Sequence, residues 1–76
     1  MQFRMSVFYI NYYVSYIVTT EDKIAFHFVI KSKPKGDVYA PDNFTVTRIG
    51  DEWKVEPELT ADFQKELIST LKAQKV

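Results

Sequence analysis

Aromatic and β-branched residues alternate with polar ones from the start of this chain, and the first run is the longest. Phe3–Val18 (FRMSVFYINYYVSYIV) contains no Gly, no Pro and a single charge, Arg4. Phe8, Ile10, Tyr12, Val14, Tyr16 and Val18 form an apolar row with period 2. That period and those residue types predict a β-strand, or two strands joined by a bend.

The polar stretch Thr19–Lys23 (TTEDK) reads as a hairpin loop, after which Ile24–Lys31 resumes the alternation with Ile24, Phe26, Phe28 and Ile30 on one face. Closing the hairpin between Val18 and Ile24 places Tyr16 opposite Phe26, Val14 opposite Phe28 and Tyr12 opposite Ile30. A slip by one residue would turn that row outward, so burial specifies the register. The opposite face then pairs Tyr13 with Val29, Ser15 with His27, Asn11 with Lys31 and Tyr9 with Lys33.

Pro34 and Gly36 in Lys33–Asp37 break the pattern, and Pro41-Asp42 adds a turn signal. Phe44–Ile49 and Trp53–Glu56 flank Gly50-Asp51, which suits a two-residue hairpin turn. This register sets Val46 opposite Val55 and Arg48 opposite Trp53. Beyond Pro57, the period changes from 2 to 3.6. Phe63, Leu67, Ile68 and Leu71 make one stripe of a helix over Ala61–Gln74, with Thr60 as N-cap, Asp62 in the first turn, and Lys72 and Lys75 at the C-terminal end. The predicted fold is α+β: a four-stranded antiparallel sheet of two consecutive hairpins with one C-terminal helix packed on one face (ββββα). Residues 1–76 read as one small domain without a linker. Its core is expected to join Tyr12, Val14, Phe26, Phe28, Phe44, Val46, Trp53 and Val55 to Phe63, Leu67, Ile68 and Leu71.

Length adds a constraint. Fully extended, Phe3–Val18 would span about 53 Å, against a diameter of about 30 Å for a domain of this size. The segment Phe3–Phe8 therefore needs a neighbour. It can bend near Asn11 and pair with the second hairpin, or it can meet the same segment of a second chain. A two-fold dimer, burying Met5, Val7, Tyr9 and Tyr13 against their copies, is the favoured expectation, because it covers an apolar face and enlarges a small core.

Composition narrows the function classes. The chain has no Cys, so disulfides and thiolate metal sites are excluded, and the single histidine, His27, cannot hold zinc alone. Ten basic and ten acidic residues cancel, giving no global field toward nucleic acid or an anionic membrane. Arg4, Asn11 and Ser15 interrupt the apolar run that a membrane helix would need, and no small-residue cleavage site follows Arg4. The expectation is a soluble cytoplasmic protein without cofactor or metal.

No catalytic residues emerge. His27 opposite Ser15 lacks an acidic orienter and an oxyanion hole, and the acidic residues at turns are not paired as acid and base. What remains is a candidate interaction surface: Met5, Val7, Tyr9, Tyr13 and Val29 on the face away from the helix, with Lys31, Lys33 and Lys35 as the one basic cluster. The order ββββα resembles, in architecture, the small dimeric single-stranded-DNA-binding domains of the Whirly type. That resemblance implies a basic sheet surface, of which this chain has only the Lys31–Lys35 cluster. Independently, Tyr9 and Tyr13 are residues of the type that stacks on bases in single-stranded nucleic acid. The reading from the residues is a non-enzymatic, self-associating domain, a homodimer that binds a protein partner or scaffolds an assembly. The alternative is a single-stranded nucleic-acid-binding dimer using the outer face of the first hairpin.

Overall fold

The computed structural model describes residues 1–74. Five strands and one helix follow one another: β1 (Gln2–Tyr9), β2 (Tyr12–Thr19), β3 (Ala25–Ser32), β4 (Asn43–Ile49), β5 (Glu52–Glu56) and α1 (Ala61–Ala73). The strands form one antiparallel sheet in the order β1-β2-β3-β4-β5. The α+β architecture with a C-terminal helix agrees with the sequence, but the sheet has five strands rather than four. The extra strand comes from the first apolar run, which reverses at Ile10-Asn11 and pairs with its own continuation. Phe3 faces Val18, Met5 faces Tyr16, Val7 faces Val14, and Tyr9 faces Tyr12.

This two-residue reversal changes which side chains share a face. A strand alternates sides at every residue, but crossing the turn pairs odd positions of β1 with even positions of β2. Met5 and Val7 consequently lie in the core beside Val14, Tyr16 and Val18, all buried. Phe8 and Ile10, expected in the inward row, are exposed instead. Ile10 adopts φ 59°, which a β-branched residue rarely occupies because its side chain crowds the backbone. Glycine is the usual occupant of such a position in tight hairpins.

The β2–β3 hairpin keeps the expected faces except at Ile24, which precedes β3 and is exposed, but not the expected register. Tyr16 faces Ile30 and Val18 faces Phe28, with an irregularity between Ser15 and Tyr16. The shift preserves the inward row because it moves each pairing by an even number of residues. Its cause lies in the loop. Asp22 Oδ1 accepts hydrogen bonds from the amides of Ile24 (2.9 Å) and Ala25 (3.1 Å), and Thr20 Oγ1 accepts one from Lys23 N (2.9 Å). These local bonds compete with the ladder, and Ile24 is diverted so that its carbonyl accepts from Arg48 N on β4 (2.8 Å). The Asp22 amide bonds hold its carboxyl below the usual aspartate range, those from Ile24 and Ala25 contributing most. The β4–β5 hairpin matches expectation: Val46 faces Val55 and Arg48 faces Trp53.

Helix α1 lies over the inward face of the sheet. Phe63, Leu67 and Leu71, spaced at four residues, are fully buried, while Ile68 packs at the margin. Tyr12 and Trp53, expected in the core, are likewise half-buried residues at its rim. Phe63 sits against the edges of Tyr9 (5.2 Å between ring centroids) and Tyr39 (5.3 Å). Thr60 is the N-cap residue but its hydroxyl makes no capping bond. Gln64 instead reaches back to the chain ahead of the helix, its Oε1 accepting from Leu59 N (3.0 Å). Lys75 lies outside the described residues.

Tyrosine hydroxyls hold the long β3–β4 connection to the sheet. Tyr12 OH donates to Tyr39 O and accepts from Tyr39 N, both at 3.0 Å. Tyr16 OH donates to Pro41 O (2.8 Å), and Tyr39 OH accepts from Thr60 N (3.1 Å). Tyr16 also packs edge-on against Phe28 and Phe44, which stack on each other at 4.7 Å. No buried side-chain nitrogen or oxygen among the described residues lacks a partner.

Two predictions follow from this geometry. Replacing Ile10 by Gly removes the steric cost of the left-handed backbone, and the relief exceeds the added chain entropy. Ile10→Gly should raise the unfolding free energy by about 1 kcal/mol in urea titration; a loss of stability would contradict the turn conformation. Burial raises the Tyr16 pKa well above its ordinary 10.0, with smaller contributions from Tyr39, Asp42 and Tyr12. The unfolded chain therefore releases this proton first, and stability present below about pH 10 falls as the pH rises toward the folded value. Tyr16→Phe should flatten that alkaline slope while costing about 1 kcal/mol at neutral pH through the orphaned Pro41 carbonyl. An unchanged slope would show that Tyr16 is not buried as described.

Candidate interaction surface

The sheet has one helix, and one helix covers one face. The other face consists of the even residues of β1 and the odd residues of β2 and β3. Phe8 and Tyr13 pair across the first hairpin with ring centroids 4.8 Å apart. Ile17, half-buried, lies between Arg4 on β1 and Val29 on β3. Phe8, Tyr13 and Val29 are 46%, 62% and 51% exposed, so this face carries an apolar strip open to solvent. Between the Phe8–Tyr13 pair and the Ile17–Val29 pair, Ser6 faces Ser15 and shares with it a hydroxyl hydrogen bond of 3.0 Å, so this serine pair interrupts the strip.

This arrangement redistributes the residues expected to form one surface. Met5 (2% exposed) and Val7 (0%) belong to the core of their own chain and have nothing left to offer a copy. Tyr9 lies on the helix side against Phe63 and Tyr12. Tyr9 and Tyr13 therefore stand on opposite faces and make no joint stacking platform, because the Ile10-Asn11 reversal falls between them. Tyr13 and Val29 do lie on the open face, though not opposite each other: Val29 pairs with Ile17 and Asn43. Lys31 is the penultimate residue of β3, and Lys33 and Lys35 follow in the connection; all three are exposed.

Phe8 is the surface residue that the period-2 reading misplaced. The signal for it was present: Met5, Val7 and Tyr9 are odd-numbered apolar positions, whereas Tyr12, Val14, Tyr16 and Val18 are even. A change of parity inside a continuous apolar run marks a reversal of the chain.

His27 does not meet Ser15. It lies between Thr19 and Thr45, and its Nδ1 is 3.2 Å from Thr45 Oγ1. Beyond Thr45 stands Glu56, whose carboxylate is occupied by Lys54 at 3.2 Å, both side chains being largely exposed. The row His27–Thr45–Glu56 thus contains an imidazole and a carboxylate on strands separated by β4, with no hydrogen bond or ion pair between them. No group of three or more metal-ligating side chains occurs among the described residues, and no helix among them is long and apolar enough to cross a membrane. The depressions on the surface are shallow and open, the one between β3, β4 and Pro57 being lined by His27, Val29, Asn43 and Thr45.

No protein-family model, curated protein or solved structure matches this chain. The surface must therefore be read from its own chemistry.

Proposed function

We propose that the protein is a non-enzymatic, self-associating interaction domain, and that its contacts are made by the outer side of the first hairpin. The observation that carries this reading is the one-sided sheet: Phe8, Tyr13 and Val29 stay exposed on strands whose opposite face is a closed core. Apolar side chains grouped on a rigid sheet gain free energy when another surface removes them from water. A chain of 76 residues also buries a limited share of its unfolded surface, so association adds to a small core. The assembly is a homodimer, and its exposed sheet face is the docking surface for a protein partner.

A second reading has a specific observation in its favour. The Phe8–Tyr13 pair is an exposed aromatic surface, and Lys33 and Lys35 follow β3 at the Tyr13 end of the sheet. Single-stranded nucleic acid combines base stacking with phosphate contacts of this kind. Such binding weakens steeply with salt, because phosphate contacts release counterions.

Light scattering across the micromolar range tests the first reading. The mass should approach twice that of one chain as concentration rises, with the far-UV spectrum unchanged. A protein that remains monomeric throughout contradicts self-association. Salt-sensitive binding of an unlabelled oligothymidine by that monomer would transfer support to the second reading.

A further inference from the structure

The sheet ends in two edge strands, and they differ. β5 has five residues, of which Glu52, Lys54 and Glu56 are charged, and Pro57 follows directly. Short length, charge and proline are the usual means by which a sheet edge is kept from pairing. β1 has eight residues (QFRMSVFY), no proline and one charge. Its protections are fewer: the single charge Arg4, and α1 alongside its Tyr9 end, where Phe8, Tyr9 and Ile10 share a depression with Asp62, Lys65 and Glu66.

The backbone of β1 identifies which groups are free. Met1 and Thr20 exchange both hydrogen bonds, Met1 N to Thr20 O at 2.7 Å and Thr20 N to Met1 O at 2.9 Å. In an antiparallel ladder such bonded pairs alternate with non-bonded ones. Phe3, Met5, Val7 and Tyr9 therefore direct N–H and C=O toward β2, and Gln2, Arg4, Ser6 and Phe8 direct theirs outward. The side chains of these four outward-bonding residues are exposed on the open face. β1 thus presents a periodic row of unpaired donors and acceptors beside the apolar strip, which is the surface an added strand completes.

We propose that this edge pairs with β1 of a second copy, antiparallel, across a two-fold axis between the two Ser6 residues. The inference rests on the self-association proposed above and names the contact that produces it. Side-chain faces match only when residues of the same parity meet. Centring on Arg4 would set the two guanidinium groups directly opposite, and centring on Met5 would leave them as diagonal neighbours about 7–8 Å apart. Centring on Ser6 separates them and brings each Arg4 over Phe8 of the other copy, a cation on an aromatic face. Met5 and Val7 stay in the core of their own chain, so the join is made by the backbone and by the open-face side chains. The result is a continuous ten-stranded sheet in which the two open faces lie on one side, doubling the docking surface.

The chain lacks cysteine, so a single introduced thiol reports the register. A bonded antiparallel pair sets its Cα atoms about 5.5 Å apart, within the range a disulfide spans. Ser6→Cys should therefore link two chains under mild oxidation, whereas Arg4→Cys, displaced about 13 Å from its copy, should not. Ser6→Lys, which places two ammonium groups together without removing a backbone bond inside the chain, should halve the mass seen by light scattering and leave the far-UV spectrum unchanged. A dimeric wild type that forms no Ser6→Cys disulfide, or whose Ser6→Lys variant stays dimeric, overturns the edge pairing while self-association stands. A monomeric wild type overturns both.

Discussion

The fold depends on one chain reversal that has no glycine to make it. At Ile10-Asn11 the first apolar run turns back, and each residue of β1 acquires a partner on β2. The left-handed backbone at Ile10 costs free energy locally. The gain is collective: Met5 and Val7 pass into the core, Tyr9 reaches Phe63, and a segment too long for the domain becomes two strands of fitting length. Burial of each such side chain stabilises by roughly 1.5–3 kcal/mol, which exceeds a turn penalty of about 1–2 kcal/mol. Tertiary burial, not turn propensity, selects this reversal.

From that reversal the remaining layers follow. The shared inward face of β1 and β2 supplies the floor on which Phe63, Leu67 and Leu71 rest, and α1 lies beside β1. Tyr12 and Tyr16, brought to the same face, use their hydroxyls to hold Tyr39 and Pro41. The long connection between β3 and β4 is thereby fixed to the core without secondary structure of its own. Tyr39 in turn supports the start of the helix through Thr60. The tyrosines of the first run are thus core residues with polar ends rather than a binding surface, Tyr13 excepted.

Where local chemistry and hydrophobic period agreed, the sequence was sufficient. Gly50-Asp51 between alternating strands specified the β4–β5 register residue by residue, and the spacing of Phe63, Leu67 and Leu71 specified the helix. Where they disagreed, it misled. Ile-Asn is a poor turn sequence, so the reversal hid inside an apolar run. Asp22 and Thr20 enlarged the next loop through side-chain bonds that no period reveals. The candidate surface suffered accordingly: Met5, Val7 and Tyr9 left it, while Tyr13 and Val29 stayed and Phe8 joined them. The basic cluster was legible throughout, since Lys31, Lys33 and Lys35 are exposed where a strand ends.

The change of parity at the turn is the claim on which the core, the open face and the free edge all rest. It is tested most directly by comparing urea unfolding of Val7→Lys and Phe8→Lys, adjacent residues of one strand. Val7 is 0% exposed and Phe8 46%. A charge forced into the core costs several kcal/mol, whereas exposed substitutions change stability by about 0.5 kcal/mol. Val7→Lys should abolish cooperative unfolding, and Phe8→Lys should keep a midpoint near that of the wild type. The reverse order, with Phe8→Lys unfolded and Val7→Lys stable, would place the even residues of β1 inside and contradict the account.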